Sequence, residues 1–230
     1  MTGALHEEVL QANLELARRG LAQFTFGNAS AIDRESGIVI IKPSGVPYEK
    51  LRARDLVSVA LDDGRVVQGR LRPSSDLETH LALYRAFPSV GGVVHTHSHY
   101  ATVWAQARRD IPCLGTTHAD HFHGPIPVTE EMTPEEIAWA YEANTGAVIV
   151  RRFASVDPDR VPAVLVSGHA PFCWGRSVAS AVEVASVLEE VARMAWHTMT
   201  VNPAITPIAA ELLDRHFLRK HGSAKYYGQE

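Results

Sequence analysis

Cysteine is scarce: the 230 residues hold only Cys113 and Cys173, 60 positions apart and in no CxxC pair. That spacing argues against a zinc ribbon and fits two buried thiols in a reducing compartment better than a disulfide. Basic runs are missing too. No stretch of Lys or Arg exceeds two residues and the formal net charge is -4, so the electrostatic footprint of a nucleic-acid binder is absent. No segment approaches the apolar length of a membrane span, and the first twenty residues carry acids where a secretory leader needs basic and unbroken apolar stretches. A soluble, cytoplasmic protein is expected. Repeats, low-complexity tracts and linkers are likewise missing, and 46% hydrophobic content suits one domain spanning 1–230. No Walker or dinucleotide fingerprint appears, so no nucleotide is implied.

What is present reads as strands alternating with helices. Leu5, Val9, Ala12 and Leu16 mark one face of an opening helix that Gly20 can close. IVIIK (38–42) reads as a buried strand, and LVSVA and RVVQG around Asp-Gly read as a hairpin. A helix is expected from Ser75 to Phe87, stopped by Pro88. GGVVHTH reads as a strand leading into a helix, and TPEE at Thr133 carries the signature of a capping box. AVIVRRF (147–153) and AVLVSG read as two further strands, 177–199 as a long helix, and the stretch from Pro207 to about Gly222 as a last one. The expected fold is α/β, a three-layer sandwich around a mixed, largely antiparallel sheet.

VVHTHSHY (93–100) places a histidine at every second position. On a strand, side chains two apart share a face, so His95 and His97 point the same way and can bind one divalent ion. His169, at the end of the strand AVLVSG, supplies a third imidazole at a strand-to-loop junction. Three histidines leave coordination positions open for water or substrate oxygens, as catalytic zinc sites require. His99 lies past the strand end, where the alternation need no longer hold, and reads as a rim or structural residue. HADHFHG (118–124) has no strand periodicity; it reads as a loop carrying a catalytic acid, with His121 and His123 as surface residues.

Three short stretches, FGNAS (26–30), KPSG (42–45) and PSSD (73–76), combine glycine, hydroxyls and amides. Such loops present backbone N–H groups and hydroxyls to an anion. Taken singly, each is also an ordinary turn, and Ser74 or Ser75 can cap the helix that follows.

Together GNAS, KPSG, PSSD, GGVVHTHS, GTTHAD, the Gly-His-Ala-Pro turn and the closing HFLRKHG and YYGQ resemble the class II aldolase/adducin family, and within it the L-ribulose-5-phosphate 4-epimerase branch, over nearly the whole chain. The resemblance implies a metal-dependent sugar-phosphate epimerase, a homotetramer with active sites between subunits, and a C-terminal tail (about 207–230) that completes a neighbour's site. It implies one divalent metal per subunit, zinc with manganese or cobalt as alternatives, held by His95, His97 and His169 with Asp76 as a further ligand or close neighbour. Gly27, Asn28, Lys42, Ser44, Gly45, Ser74 and Ser75 would hold the substrate, chiefly its phosphate. Asp120 and Tyr227 would be the acid/base pair, their pKa values moved toward neutrality by burial and a nearby cation respectively, with His216 assisting. Two positions depart from the pattern: His169 follows Ser-Gly where the family has His-Ser, and His99 stands where it has arginine. The rival readings are an aldolase like L-fuculose-1-phosphate aldolase, which carries glutamate where this chain has Asp76, and a non-catalytic adducin-like scaffold.

Overall fold

Alternation along the strands sorts apolar residues to two faces of a single sheet, and each face carries its own core. The computed structural model describes residues 2–222 and 226. Its strands are β1 (Asn28–Asp33), β2 (Ile38–Ile41), β3 (Val57–Ala60), β4 (Val66–Gln68), β5 (Gly92–His95), β6 (Ala163–Leu165) and β7 (Pro171–Gly175). The spatial order is β4-β3-β2-β1-β5-β7-β6, with every strand pair antiparallel. Among the described residues the parallel element is an isolated bridge between Val128 and Leu165.

The helices are α1 (Thr2–Arg18), α2 (Leu77–Ala86), α3 (His99–Gln106), α4 (Thr116–Ala119), α5 (Pro134–Ala138), α6 (Tyr141–Arg152), α7 (Val178–Val201) and α8 (Ala210–His221). On one face Ala29, Ala31 and Val94 pack with Leu16 of α1, Trp104 of α3 and Leu188 of α7. On the other, Val39, Val59 and Val93 pack with Leu81 and Tyr84 of α2 and Ile149 of α6. The result is the expected α/β/α sandwich. The capping box at Thr133 is also in place, with Thr133 Oγ1 accepting the Glu136 N–H at 3.2 Å and the Glu136 carboxylate accepting the Thr133 N–H at 2.9 Å.

Three local expectations are corrected. AVIVRRF is not a strand: residues 147–152 form the second half of α6, and Phe153 follows in a short 3-10 turn. Burying Val148, Ile149 and Phe153 is worth roughly 1.5–3 kcal/mol per side chain. The helix propensity that Val and Ile forgo is only a few tenths of a kcal/mol each, about 0.7 at most, so packing decides. Neither Ser74 nor Ser75 caps α2, because Asp76 occupies the N-cap position. HADHFHG is part helix, its first two residues closing α4.

The glycine pair before the histidine motif has a packing reason. A Cβ on Gly92 would collide with the backbone of Val178, where the first turn of α7 lies directly on β5. Because both partners are backbone, neither can rotate aside, and Gly92→Ala is expected to cost roughly 1–3 kcal/mol. Urea unfolding followed by circular dichroism reads this as a lower midpoint; an unchanged midpoint would show that β5 and α7 can separate freely.

Candidate metal centre and its cavity

One end of the sheet gathers the polar residues. In an antiparallel sheet neighbouring strands start and stop at the same end, so the start of β1 (Asn28), the residue after β2 (Lys42), the end of β5 (His95) and the start of β7 (Pro171) converge. Asn28 pairs with His95 in register, and His95 with Phe172. His169 sits in the tight connection from β6 to β7, its N–H donating to the Val166 carbonyl at 3.0 Å.

Imidazole nitrogens of His95, His97 and His169 lie within 4.8 Å of one another, and each pair of rings has its centroids 5.0 Å apart. His97 lies two residues past His95, beyond the last residue of β5, yet still joins the cluster. The donor set fits a divalent ion. A metal needs neutral imidazole, and burial, reinforced by the neighbouring rings, holds His169 down to about 4. Burial likewise lowers His95 and His97. His95 Nδ1 sits 2.9 Å from the Pro171 carbonyl, which places the proton on Nδ1 and leaves Nε2 as the ligand, the usual orienting arrangement around metal-bound histidine. Its ring is stacked on Phe172 at 4.2 Å and cannot turn easily.

A cavity of about 400 Å³ opens over the triad. Its lining includes Gly27, Asn28, Lys42, Ser44, Gly45, Ser74, Ser75 and Asp76 along with the three histidines, so the structure brings together every residue expected to bind metal or substrate. Asn28 Nδ2 donates to Asp76 Oδ2 at 2.6 Å and to Ser74 Oγ at 2.9 Å, while its buried Oδ1 has no partner among the described residues. Burial opposes charge on Asp76, but the pull of His95 and His80 and the Asn28 bond overcome it, holding the carboxyl below its ordinary value. Lys42 is 1% exposed and is pushed down to about 8 by burial alone, with no carboxylate among the described residues offsetting that cost. A desolvated cation at one end and a tris-imidazole cluster beside it make a cavity for a ligand that is anionic at one end and oxygen-rich at the other.

Asp120 and His216 come together, but elsewhere. They do not line this cavity. Asp120 accepts two bonds from Arg219, at 3.0 and 2.7 Å, and lies 3.0 Å from His216 Nδ1. Burial favours the neutral acid; Arg219 and His216 outweigh it and hold the carboxyl below its ordinary value. The expectation that burial would raise Asp120 toward neutrality is therefore reversed within the chain, because an ion pair accompanies the burial. Tyr227 lies outside the described residues. His121 and His123 are half-buried rather than on the surface: His123 Nε2 lies 2.6 Å from Asp214, and His121 Nε2 lies 3.4 Å from Lys220 Nζ, both on α8. His118 is buried against the Gly124 carbonyl at 2.8 Å. His99 is exposed on the first turn of α3, packs on Tyr100 and does not line the cavity.

Three cavity residues lie outside every stretch singled out in the sequence, Thr25, Tyr141 and Glu142, and Phe26 of FGNAS gains a place of its own. Phe26 leans its ring over His97 at 6.0 Å, and Tyr141 places its hydroxyl 3.5 Å from His169 Nδ1. Tyr141 and Glu142 open α6, whose later half has the pattern of a strand in the sequence, and that pattern hides the one local signal for them.

With fold and cavity established, the chain belongs to the class II aldolase and adducin family: the profile of the class II aldolase and adducin N-terminal domain matches residues 7–196. It is 55% identical over 226 residues to L-ribulose-5-phosphate 4-epimerase UlaF of Salmonella paratyphi B (strain ATCC BAA-1250 / SPB7), covering 98% of this chain and 99% of that protein. Among solved structures it superimposes on an L-fuculose 1-phosphate aldolase with TM-score 0.76 at 25% identity, covering 92% and 95% of the two chains. The fold also matches l-fuculose-1-phosphate aldolase from Thermus thermophilus, with TM-score 0.68 at 23% identity over 89% and 98%.

Proposed function

We propose that this protein is an L-ribulose-5-phosphate 4-epimerase, interconverting L-ribulose 5-phosphate and D-xylulose 5-phosphate. The observation that carries the reading is the cavity itself, which sets a buried Lys42 and hydroxyl-bearing loops beside a histidine triad. Likeness to an epimerase at 55% identity over nearly the whole of both chains favours this activity over the aldolase reading. A non-catalytic scaffold has no need of an assembled triad.

The chemistry follows from the substrate. The carbonyl is C2, so the C3 hydrogen is acidic and the C4 hydrogen is not, and deprotonation cannot invert C4. Breaking the C3–C4 bond can: it leaves the enediolate of dihydroxyacetone and glycolaldehyde phosphate, whose aldehyde turns its other face before the bond reforms. His95, His97 and His169, with Asp76 beside them, would hold one divalent ion, zinc in this reading with manganese or cobalt as alternatives, which when bound supplies the positive charge that stabilises oxygens in the cleaved fragment. Lys42 and the loops at Gly27, Asn28, Ser44, Gly45, Ser74 and Ser75 grip the phosphate, keeping the aldehyde from escaping while it rotates.

Two groups on opposite faces of C4 then move the hydroxyl proton, one accepting it before cleavage and the other returning it to the new alkoxide. In this reading they are Asp120 and Tyr227, delivered by the neighbouring subunit of a cytoplasmic homotetramer whose single-domain chains contribute the tail from about 207 onward. Arg219 and His216 keep Asp120 in the ionised form that can accept a proton, at the expense of its basicity. The decisive test is a coupled assay in which metal-loaded protein converts L-ribulose 5-phosphate to D-xylulose 5-phosphate; metal-loaded protein that leaves the substrate unchanged refutes the reading.

A further inference from the structure

We propose that Tyr48 is a positioning residue that shapes the phosphate end of the cavity by joining the loop at Gly27 to the loop that begins at Lys42. The inference rests on the reading that this cavity takes a sugar phosphate. Tyr48 does not line the cavity and is 4% exposed, so it acts only through residues that do line it.

Its hydroxyl lies 2.8 Å from two successive carbonyl oxygens, those of Phe26 and Gly27, and its single proton is shared between them. In a trans peptide the N–H points opposite to the C=O. Anchoring the Phe26 carbonyl on Tyr48 therefore turns the Gly27 N–H away from Tyr48, and since Gly27 lines the cavity and Tyr48 does not, we assign that N–H to the cavity side. Gly27 has φ +75°, and a Cβ there would sit 2.7 Å from the His95 carbonyl, so the loop is pressed against the metal-bearing strand and has no other route. Backbone N–H groups beside a left-handed residue form a concavity that binds anions.

The ring of Tyr48 has a second task. Lys42 Nζ stands 4.9 Å from its centroid, and among the described residues otherwise reaches only the Pro43 carbonyl, at 3.4 Å. A cation over an aromatic face is attracted by the ring quadrupole, more strongly where water is excluded. One buried tyrosine thus orients both an N–H donor and a cation toward the same anion, its hydroxyl serving one loop and its face the other.

Tyr48→Phe keeps the ring and removes only the two bonds. It is expected to raise the KM for L-ribulose 5-phosphate, and the dissociation constant of inorganic phosphate, by about tenfold, with kcat within about twofold and metal content unchanged. Tyr48→Leu removes the ring as well and is expected to weaken phosphate binding further. Phosphate is titrated calorimetrically into metal-loaded protein without sugar. In the wild type, the same titration is expected to shift the Gly27 amide resonance, a measurement that stands even where a Tyr48 variant fails to fold.

Unchanged phosphate affinity in Tyr48→Phe, a loss of kcat or metal at constant KM, or a Gly27 amide indifferent to phosphate would each overturn the proposal. The two readings fail separately. If Tyr48→Phe weakens phosphate binding in a protein that does not epimerise, the inference stands and the epimerase reading falls. If the wild type epimerises and Tyr48→Phe binds phosphate as well as it does, the reverse holds.

Discussion

His97→Ala is expected to purify folded, without metal, and slower in the epimerase assay by at least about a thousandfold, the scale of losing a principal source of charge stabilisation. The argument rests on position. Of the three triad histidines His97 is the exposed one, whereas His95 is buried and stacked on Phe172. Truncating His95 opens a gap against Phe172 of β7 and confuses metal loss with unfolding; truncating His97 removes a ligand and little packing. Metal analysis by mass spectrometry, with circular dichroism as the folding control, separates the two. A normal metal load in His97→Ala would remove His97 from the ligand set and leave the remaining imidazoles with Asp76 as the donors.

The second large effect concerns Asp120→Asn, alone and in mixtures. Alone it is expected to lower kcat by a factor on the order of 10²–10⁴, the usual worth of a positioned acid or base, while leaving metal content intact because Asp120 lies away from the cavity. Refolded together in equal amounts, inactive His97→Ala and inactive Asp120→Asn chains are expected to regain about one quarter of wild-type activity, since in the proposed closed ring each site would take its metal from one chain and its carboxylate from the next. Activity in the mixture no greater than in the parents would place both groups of a working site in one chain. It would also require Asp120, at the end of α4, to reach the cavity of its own subunit.

The histidine triad is legible in the sequence because both of its signals are local: period-two spacing puts His95 and His97 on one side, and a strand end brings His169. Other features have no such signal. β1 is Asn-Ala-Ser-Ala-Ile-Asp, five of six residues buried, with Ile32 the one large apolar side chain of the kind by which buried strands are recognised. Its small residues are needed because α1 lies close above it, with Asn13 bonding both the N–H and the carbonyl of Ala29, at 2.9 and 3.1 Å. β7 opens on Pro171, the last residue of the Gly-His-Ala-Pro turn, and that proline masks the strand that follows. α6 reads as a strand because AVIV satisfies strand and helix patterns alike, and only its burial against α2 decides. Tyr48 and Tyr141 are single tyrosines in turns or at a helix start, and the hydrogen-bond partners of their hydroxyls lie more than 20 positions away. The pairing of Asp120 with Arg219 spans 99 positions, and no spacing rule reaches that far.

The bond from His95 to the Pro171 carbonyl joins residues 76 positions apart. His95 and His97 emerge from one side of that loop and His169 from the other, so while the loop is open only two of the three triad imidazoles are near each other. Contacts this distant in sequence form slowly, because the entropy of closing the loop is spent before any of them is gained. In the proposed ligand set the third imidazole joins the first two only once β5 has paired with β7, so tight metal uptake is expected late in folding.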